Sequence, residues 1–399
     1  MVASHAAADK ARPIKVGVIR GAYLSQFEMQ TYEHLLDRVD LEAYRIRINR
    51  FPTELIRVPL KLLACIDDPF AMISPKLGFY FDLFLQATNG LDYYHFGLEK
   101  ALAGRDIAHT METFNAFSWQ ALRAKQRYGT RLVVTVWENR PYAAERFTAK
   151  RRMKYEVLHG ADLLLAMTPR AASCLELEGA DARKIRVLPP GVDTNRFKPR
   201  PRPMEWQRRL GIHPDDFVFL SVAALRWEKG VQDILHAFKR LVLHSPGRRV
   251  KLVFAGSGPE EKRLRELADR IGLGDTVIFS RFPYEEMHSA YNLADVFMLA
   301  STARPGWLEQ FGYVLAEALA SGVPIITTMH GSIPEVVGEA ALLVPPSDFL
   351  GLGDAMKKLL EDSNERERLT LAARARAETE FDSRKQADKL CEAYESLMK

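Results

Sequence analysis

Cysteine is scarce in this chain. Cys65, Cys174 and Cys391 stand far apart and show no C-x-x-C or Cys/His ligand spacing, which excludes a disulfide framework and a zinc module and leaves reduced, structural thiols. Long apolar runs are lacking as well: none reaches the roughly 18 residues of a membrane-crossing helix, so no span is expected. Nowhere are two aspartates separated by a single residue, the clamp through which a divalent cation holds a diphosphate, and no metal is expected. No G-x-G-x-x-G follows the first strand of either half, which disfavours a dinucleotide-dependent dehydrogenase. The basic residues form neither a zinc finger nor an RNA-recognition motif, and no nucleic-acid partner is expected. The first thirteen residues, MVASHAAADKARP, lack the apolar core of a secretory signal and read as a loose tail, which points to a cytoplasmic location.

What is present suits two domains with a cleft between them: 399 residues, 47% hydrophobic and 27% charged. The net charge of +5 is uneven, with +9 in residues 1–204 and −4 in the remainder. A basic half of this kind suits an acidic partner or an anionic membrane surface. Strands are expected at Lys15–Ile19, Ile107–His109, Leu132–Val136, Leu163–Met167 and Ile185–Leu188, with helices near 26–36, 119–128 and 148–159. A proline-rich stretch, Pro189–Pro203, reads as a semi-rigid linker. Beyond it the alternation resumes, with strands at Val218–Ala223, Val250–Ala255, Val277–Ser280 and Val296–Leu299 separated by helices at 231–243, 259–270 and 284–292. Alternating strand and helix predicts parallel sheets and an α/β fold of two Rossmann-like domains.

The most informative stretch is WLEQFGYVLAEALASGVPII, Trp307–Ile326. It predicts a tight loop at Gln310-Phe311-Gly312, a helix over Tyr313–Ala320, a stop at Gly322 and a buried strand from Val323 to Thr327. Glu309 then lies just before the helix and Glu317 inside it. A carboxylate among Val314, Leu315, Ala318 and Leu319 needs donors, and a sugar diol supplies two hydroxyls at suitable spacing. The exposed N–H groups at the helix start suit a phosphate.

This stretch resembles the E-x7-E element of the retaining, nucleotide-sugar-dependent glycosyltransferases of family four. The resemblance extends, in order and spacing, to the loop glycine Gly21, the segment PPGVDTNRFKP, the turn RWEKG (Arg226–Gly230) and AGSGPEEKRL (Ala255–Leu264). It implies a GT-B architecture: a first domain over 14–190 on the acceptor side, a second over 206–378 that binds the nucleotide sugar, and a helix in 379–399 that crosses back to the first. It further implies that Glu309 holds the donor sugar, that Glu317 holds the ribose, and that Arg226 and Lys229 neutralise the diphosphate. Gly21, Gly256, Phe311 and Gly312 would approach the donor closely, and the backbone around Arg281 and Phe282 would meet the base. No cofactor is implied, the UDP- or GDP-sugar being a substrate. The expected reaction moves a hexose-type sugar to an acceptor hydroxyl; a nucleotide-sugar epimerase and a non-catalytic nucleotide-sugar binder are the alternatives.

Two departures from the family pattern stand out. The family's arginine lies two places earlier, where this chain has Ala224, although residues two apart on a strand share a face. Many members place a histidine at the end of the strand Leu132–Val136, where this chain has Trp137 followed by Glu138 and Asn139. Glu138 is a candidate catalytic group there, while Trp137, Asn139 and His109, with Glu112 close to it, are candidates for the acceptor side. Lastly, Ile56–Tyr94 is apolar and aromatic, with Arg45, Arg47, Arg50, Arg57 and Lys61 nearby. It reads either as an internal helical hairpin or as a contact with anionic lipid headgroups.

Overall fold

The computed structural model describes residues 12–399, so most of the expected N-terminal tail lies outside the described residues. Two all-parallel sheets organise the chain. The first contains β1 (Lys15–Ile19), β2 (Asp40–Ile46), β3 (Leu60–Leu63), β4 (Ile107–Met111), β5 (Arg131–Val136), β6 (Leu163–Ala166) and β7 (Ile185–Val187). Their order is β3-β2-β1-β4-β5-β6-β7. The second contains β8 (Phe217–Val222), β9 (Val250–Ala255), β10 (Val277–Ser280), β11 (Val296–Leu299), β12 (Ile325–Thr328) and β13 (Ala341–Val344), in the order β10-β9-β8-β11-β12-β13. Strands such as VKLVFA and LLLA are apolar at nearly every position because helices cover both sheet faces. β2 and the edge strands β3 and β13 are not legible in the sequence because they carry mixed or short apolar patterns, as in DLEAYRI.

In each sheet the strand order reverses once, between β1 and β4 in the first and between β8 and β11 in the second. Loops diverge at such a switch point and leave a crevice at the carboxyl ends of the strands. The two crevices face one another across the junction of the sheets.

The expected linker is no spacer. Val192 and Phe197 are completely buried in the second core, and the backbone of Val192 bonds to that of Phe381 and Ser383. The C-terminal helix Ser383–Met398 crosses back as expected and packs Ala387, Leu390, Cys391 and Tyr394 into the core beneath the first sheet. Additional polar bonds join the halves: Asn139 Nδ2 donates to the Glu309 carbonyl at 2.8 Å and to Ser332 Oγ at 2.9 Å, and Gln30 Nε2 donates to the Tyr284 hydroxyl at 3.0 Å.

Candidate active site

Between the two switch points lies a cavity of about 860 Å³. Its second-domain wall is made of Ala223 and Ala224 after β8, Lys229, Leu299 at the end of β11, and the run Glu309–Val314. Its first-domain wall is made of Tyr23, Ser25 and Phe27 after β1, Glu112 after β4, Trp137 after β5, and Asp82 with Leu83 from a separate helix.

The second-domain wall carries an organised charge pair. Lys229 Nζ donates to Glu309 Oε2 at 2.6 Å, and Ser301 Oγ donates to the same oxygen at 2.8 Å. The Glu309 side chain is almost fully buried, so its charge depends on these donors. Lys229 also lies 4.8 Å from the centre of the Trp307 ring, which fixes the ammonium from a second side. Its position follows from the RWEKG turn, where Gly230 adopts φ +64° and an added Cβ would sit 1.8 Å from the Ala300 carbonyl oxygen. Next to this pair the helix Tyr313–Ala320 begins at Gly312, whose φ of +77° suits glycine. The first amides of a helix lack intrahelical acceptors, and Gly312, Tyr313 and Val314 all line the cavity. Cationic side chain and helix amides thus meet at one end of the space.

The first-domain wall is built differently. Trp137 packs against Phe311 and Tyr313, with ring centres 6.3 and 5.6 Å apart, and so closes the cavity floor across the two domains. Glu112 is buried at the tip of β4, in a left-handed conformation with φ +61°. The backbone N–H groups of Trp137 and Glu138 donate to its Oε1 at 3.0 and 3.1 Å, whereas Oε2 has no hydrogen-bond partner. Burial, with the nearby Glu138 charge adding to it, pushes the Glu112 carboxyl up to about 8, so it is neutral at pH 7 and able to donate. A non-glycine residue held at positive φ with an unpaired carboxyl oxygen on a cavity wall is the kind of strain that sites retain. The sequence noted Glu112 only as a neighbour of His109; neither its strain nor its orphan oxygen has a signature in the spacing.

Several expected site residues stand elsewhere. Arg226 does not reach the cavity. β8 ends at Val222, and the Arg226 N–H donates to the Ala224 carbonyl in a tight turn, so strand alternation no longer applies and the guanidinium lies more than half exposed against Glu228. Ala224, the position of the family's arginine, does line the wall. Glu138 is turned away and held by Arg140, whose Nε and Nη2 each lie 2.9 Å from its oxygens. Asn139 uses its amide N–H groups on the interdomain bonds described above. His109 is fully buried below the cavity; Nδ1 pairs with the Tyr394 hydroxyl and Nε2 with Thr135 Oγ1, both at 2.7 Å, and burial holds the ring neutral.

The donor-side expectations divide in the same way. Glu317 is buried, but its oxygens accept from the Tyr284 and Tyr291 hydroxyls at 3.2 and 2.7 Å rather than facing the cavity. Burial raises it to about 7. Gly21 leaves room for the Phe117 ring, 2.7 Å from a would-be Cβ, and Gly256 for the Ala223 carbonyl oxygen at 2.0 Å, so both serve packing. Arg281 is exposed beside Glu261, and Phe282 packs on Trp206 with ring centres 4.0 Å apart, which leaves only backbone on that loop. Lys229, Glu309, Phe311, Gly312 and Trp137 are therefore the expected residues that the fold brings together.

With this geometry in place, comparison with known proteins is decisive for the family. The model for group 1 glycosyl transferases matches residues 204–376, and that for Glycosyltransferase Family 4 matches residues 77–196. The chain belongs to this glycosyltransferase family and has its GT-B fold. Among curated relatives, D-inositol 3-phosphate glycosyltransferase of Corynebacterium jeikeium is 34% identical over 261 residues, which are 62% of this chain and 61% of that protein. Mannosylfructose-phosphate synthase of Agrobacterium fabrum is 31% identical over 224 residues, 53% of this chain and 48% of that protein. The matched region thus spans about half to three-fifths of these relatives. Among solved structures, HepE of Anabaena in complex with UDP superposes with a TM-score of 0.75 at 18% identity, covering 96% of this chain and 100% of that one.

Proposed function

We propose that the protein is a metal-independent, retaining glycosyltransferase that moves a hexose from a nucleotide sugar, of which UDP-glucose is the first to test, to an acceptor hydroxyl. The observation that carries this reading is the Lys229–Glu309 pair beside the amides of Gly312–Val314, all on one wall of an interdomain cavity. A leaving diphosphate needs positive charge where its own charge develops, and a prepositioned ammonium with helix amides supplies it without reorganisation. The relatives named above are a D-inositol 3-phosphate glycosyltransferase and a mannosylfructose-phosphate synthase, and HepE has been solved with UDP and with UDP-glucose.

In this reading Glu309 holds the Lys229 ammonium and accepts a hydroxyl of the donor sugar. Neutral Glu112, 25 residues before Trp137 in the chain and on the opposite wall from Lys229, donates from Oε2 to a sugar or acceptor oxygen. The family resemblance supports retention, in which the acceptor attacks from the face of the leaving phosphate and that phosphate receives the acceptor's proton. Incubation with UDP-glucose or a GDP-sugar, with and without acceptor hydroxyl compounds and with EDTA, tests the reading. Acceptor-dependent release of nucleoside diphosphate that survives EDTA is expected. Conversion of the donor sugar without acceptor would identify an epimerase, and binding without turnover a non-catalytic binder.

A further inference from the structure

The surface of the first domain contains an inverted helical hairpin. Its helices, Asp68–Ile73 and Pro75–Thr88, are joined at Ser74 and held together by the stacked rings of Phe70 and Phe81, centres 3.9 Å apart. A helix on the outside of a soluble domain normally turns its apolar stripe inward and its charges to water. Here the reverse holds. Ile73 is 73% exposed, Tyr80 65% and Phe84 57%, and Met72 and Leu77 lie open beside them. The acids of the segment point the other way: Asp67, Asp68 and Asp92 are buried, and Asp82 faces the cavity.

The apolar surface continues beyond the hairpin. The Phe96 N–H donates to the Ala64 carbonyl at 2.8 Å, which places exposed Phe96 beside the end of edge strand β3 and its exposed Leu62. Around this patch Lys61, Lys76 and Lys100 are exposed, whereas Glu33 is paired with Arg57 and Glu99 with Arg123. Cations and aromatic rings face outward together while acids face inward. That combination complements a surface that is apolar within and anionic at its boundary.

The second hairpin helix also reaches the cavity, which Phe79, Asp82, Leu83 and Gln86 line. One helix therefore carries the exposed patch on one side and part of the first-domain wall on the other. We propose that this hairpin seats the protein on an anionic lipid bilayer and that the acceptor is a lipid whose polar head enters the cavity past Leu83 while its chains stay in the bilayer. The inference rests on the glycosyltransferase reading for the word acceptor, but the surface itself is tested without turnover.

The experiment is cosedimentation of the full chain with phosphatidylcholine vesicles, with and without phosphatidylglycerol, paired with calorimetric titration of UDP. Arg50 and Phe79 belong to the cavity, so the variant is Ile73→Ser/Tyr80→Ser/Phe84→Ser, at positions that do not line it. The wild type is expected to sediment with phosphatidylglycerol vesicles, much less with phosphatidylcholine alone, and to dissociate near 0.5 M salt, where the screening length falls to about 4 Å. The variant is expected to lose at least tenfold in partitioning while its UDP affinity stays within about twofold. A wild type that stays in the supernatant overturns the proposal, as does a variant that binds equally well. A wild-type dimer that the variant dissolves, with no vesicle binding, assigns the face to contact between copies and also overturns it. Vesicle binding by a protein that binds no UDP leaves the docking surface standing and removes the UDP-sugar reading instead.

Discussion

The two walls of the cavity differ in how far their carboxyl groups are already satisfied. On the second-domain wall, Glu309 has both Lys229 and Ser301, and Lys229 has Trp307 behind it. On the first-domain wall, Glu112 keeps one oxygen unpaired, as does the Trp137 indole N–H. The second-domain wall is prepared for a fixed, charged ligand, because its donors are held in place before anything binds. The first-domain wall offers unmet hydrogen bonds that a bound hydroxyl compound would complete, since each buried orphan costs about 1–3 kcal/mol. In the proposed function, the contrast separates a donor side from an acceptor side.

The strongest way to break this comparison is to remove the cation. Lys229→Ala is expected to lower kcat by about 10²–10³, the range for loss of one prepositioned charge-stabilising group. A loss under tenfold, measured as nucleoside diphosphate release at saturating acceptor, would show that the second-domain wall does not stabilise the leaving group. Glu309→Gln keeps an acceptor for Ser301 and Lys229 but removes the negative charge that holds the ammonium. A smaller fall in kcat, about 10–100-fold, is expected, with nucleoside diphosphate affinity changed less than turnover.

On the other wall, Glu112→Gln sharpens the contrast through pH. Because the carboxyl sits near 8, the wild type donates from Oε2 at pH 7 and loses that proton as pH rises through about 8. Activity should therefore show an alkaline decline that Gln, which keeps a donor at every pH, lacks; at pH 7 the variant should retain activity within about tenfold. An unaltered alkaline limb in the variant would remove Glu112 from the site. Asn139→Ala should have a smaller effect still. Loss of its bonds to Glu309 and Ser332 is expected to lower kcat/KM by about 3–10-fold, with kcat nearly preserved, because the substitution loosens the meeting of the walls without touching the reacting groups.

The smallest catalytic effect belongs to Glu317, whose role in this structure is structural. Its folded-state value near 7 lies above the ordinary glutamate range, so the stability it contributes is complete at low pH and is lost as pH rises through about 7. Glu317→Gln should flatten the fall in Tm between pH 5 and 8 while leaving turnover within about twofold. A large loss of nucleotide affinity would instead return Glu317 to the ribose.

Much of the fold was legible because buried parallel strands write themselves as short apolar runs between Gly, Pro and helix signals, and the Rossmann-like alternation repeats in both halves. The second-domain wall was legible too, since Glu309, Phe311, Gly312 and Lys229 lie in local motifs that the fold brings to one side of the cavity. What escaped depends on contacts distant in sequence. Glu317 meets Tyr284 and Tyr291 from a different helix, and no spacing announces that their hydroxyls occupy it. Arg226 was misread because strand alternation was extended past the end of β8. His109, Glu138 and Asn139 were read as site residues because they sit at strand ends, yet each is consumed by a partner that only the folded chain supplies.

The central claim is that the Lys229–Glu309 wall receives the diphosphate of a nucleotide sugar. Calorimetric titration of UDP into the wild type and Lys229→Ala at the same low salt tests it most directly. Saturable one-to-one binding by the wild type, weakened at least tenfold by the substitution, a difference of about 1.4 kcal/mol, is the result the account predicts. Equal affinity in the two proteins would contradict it.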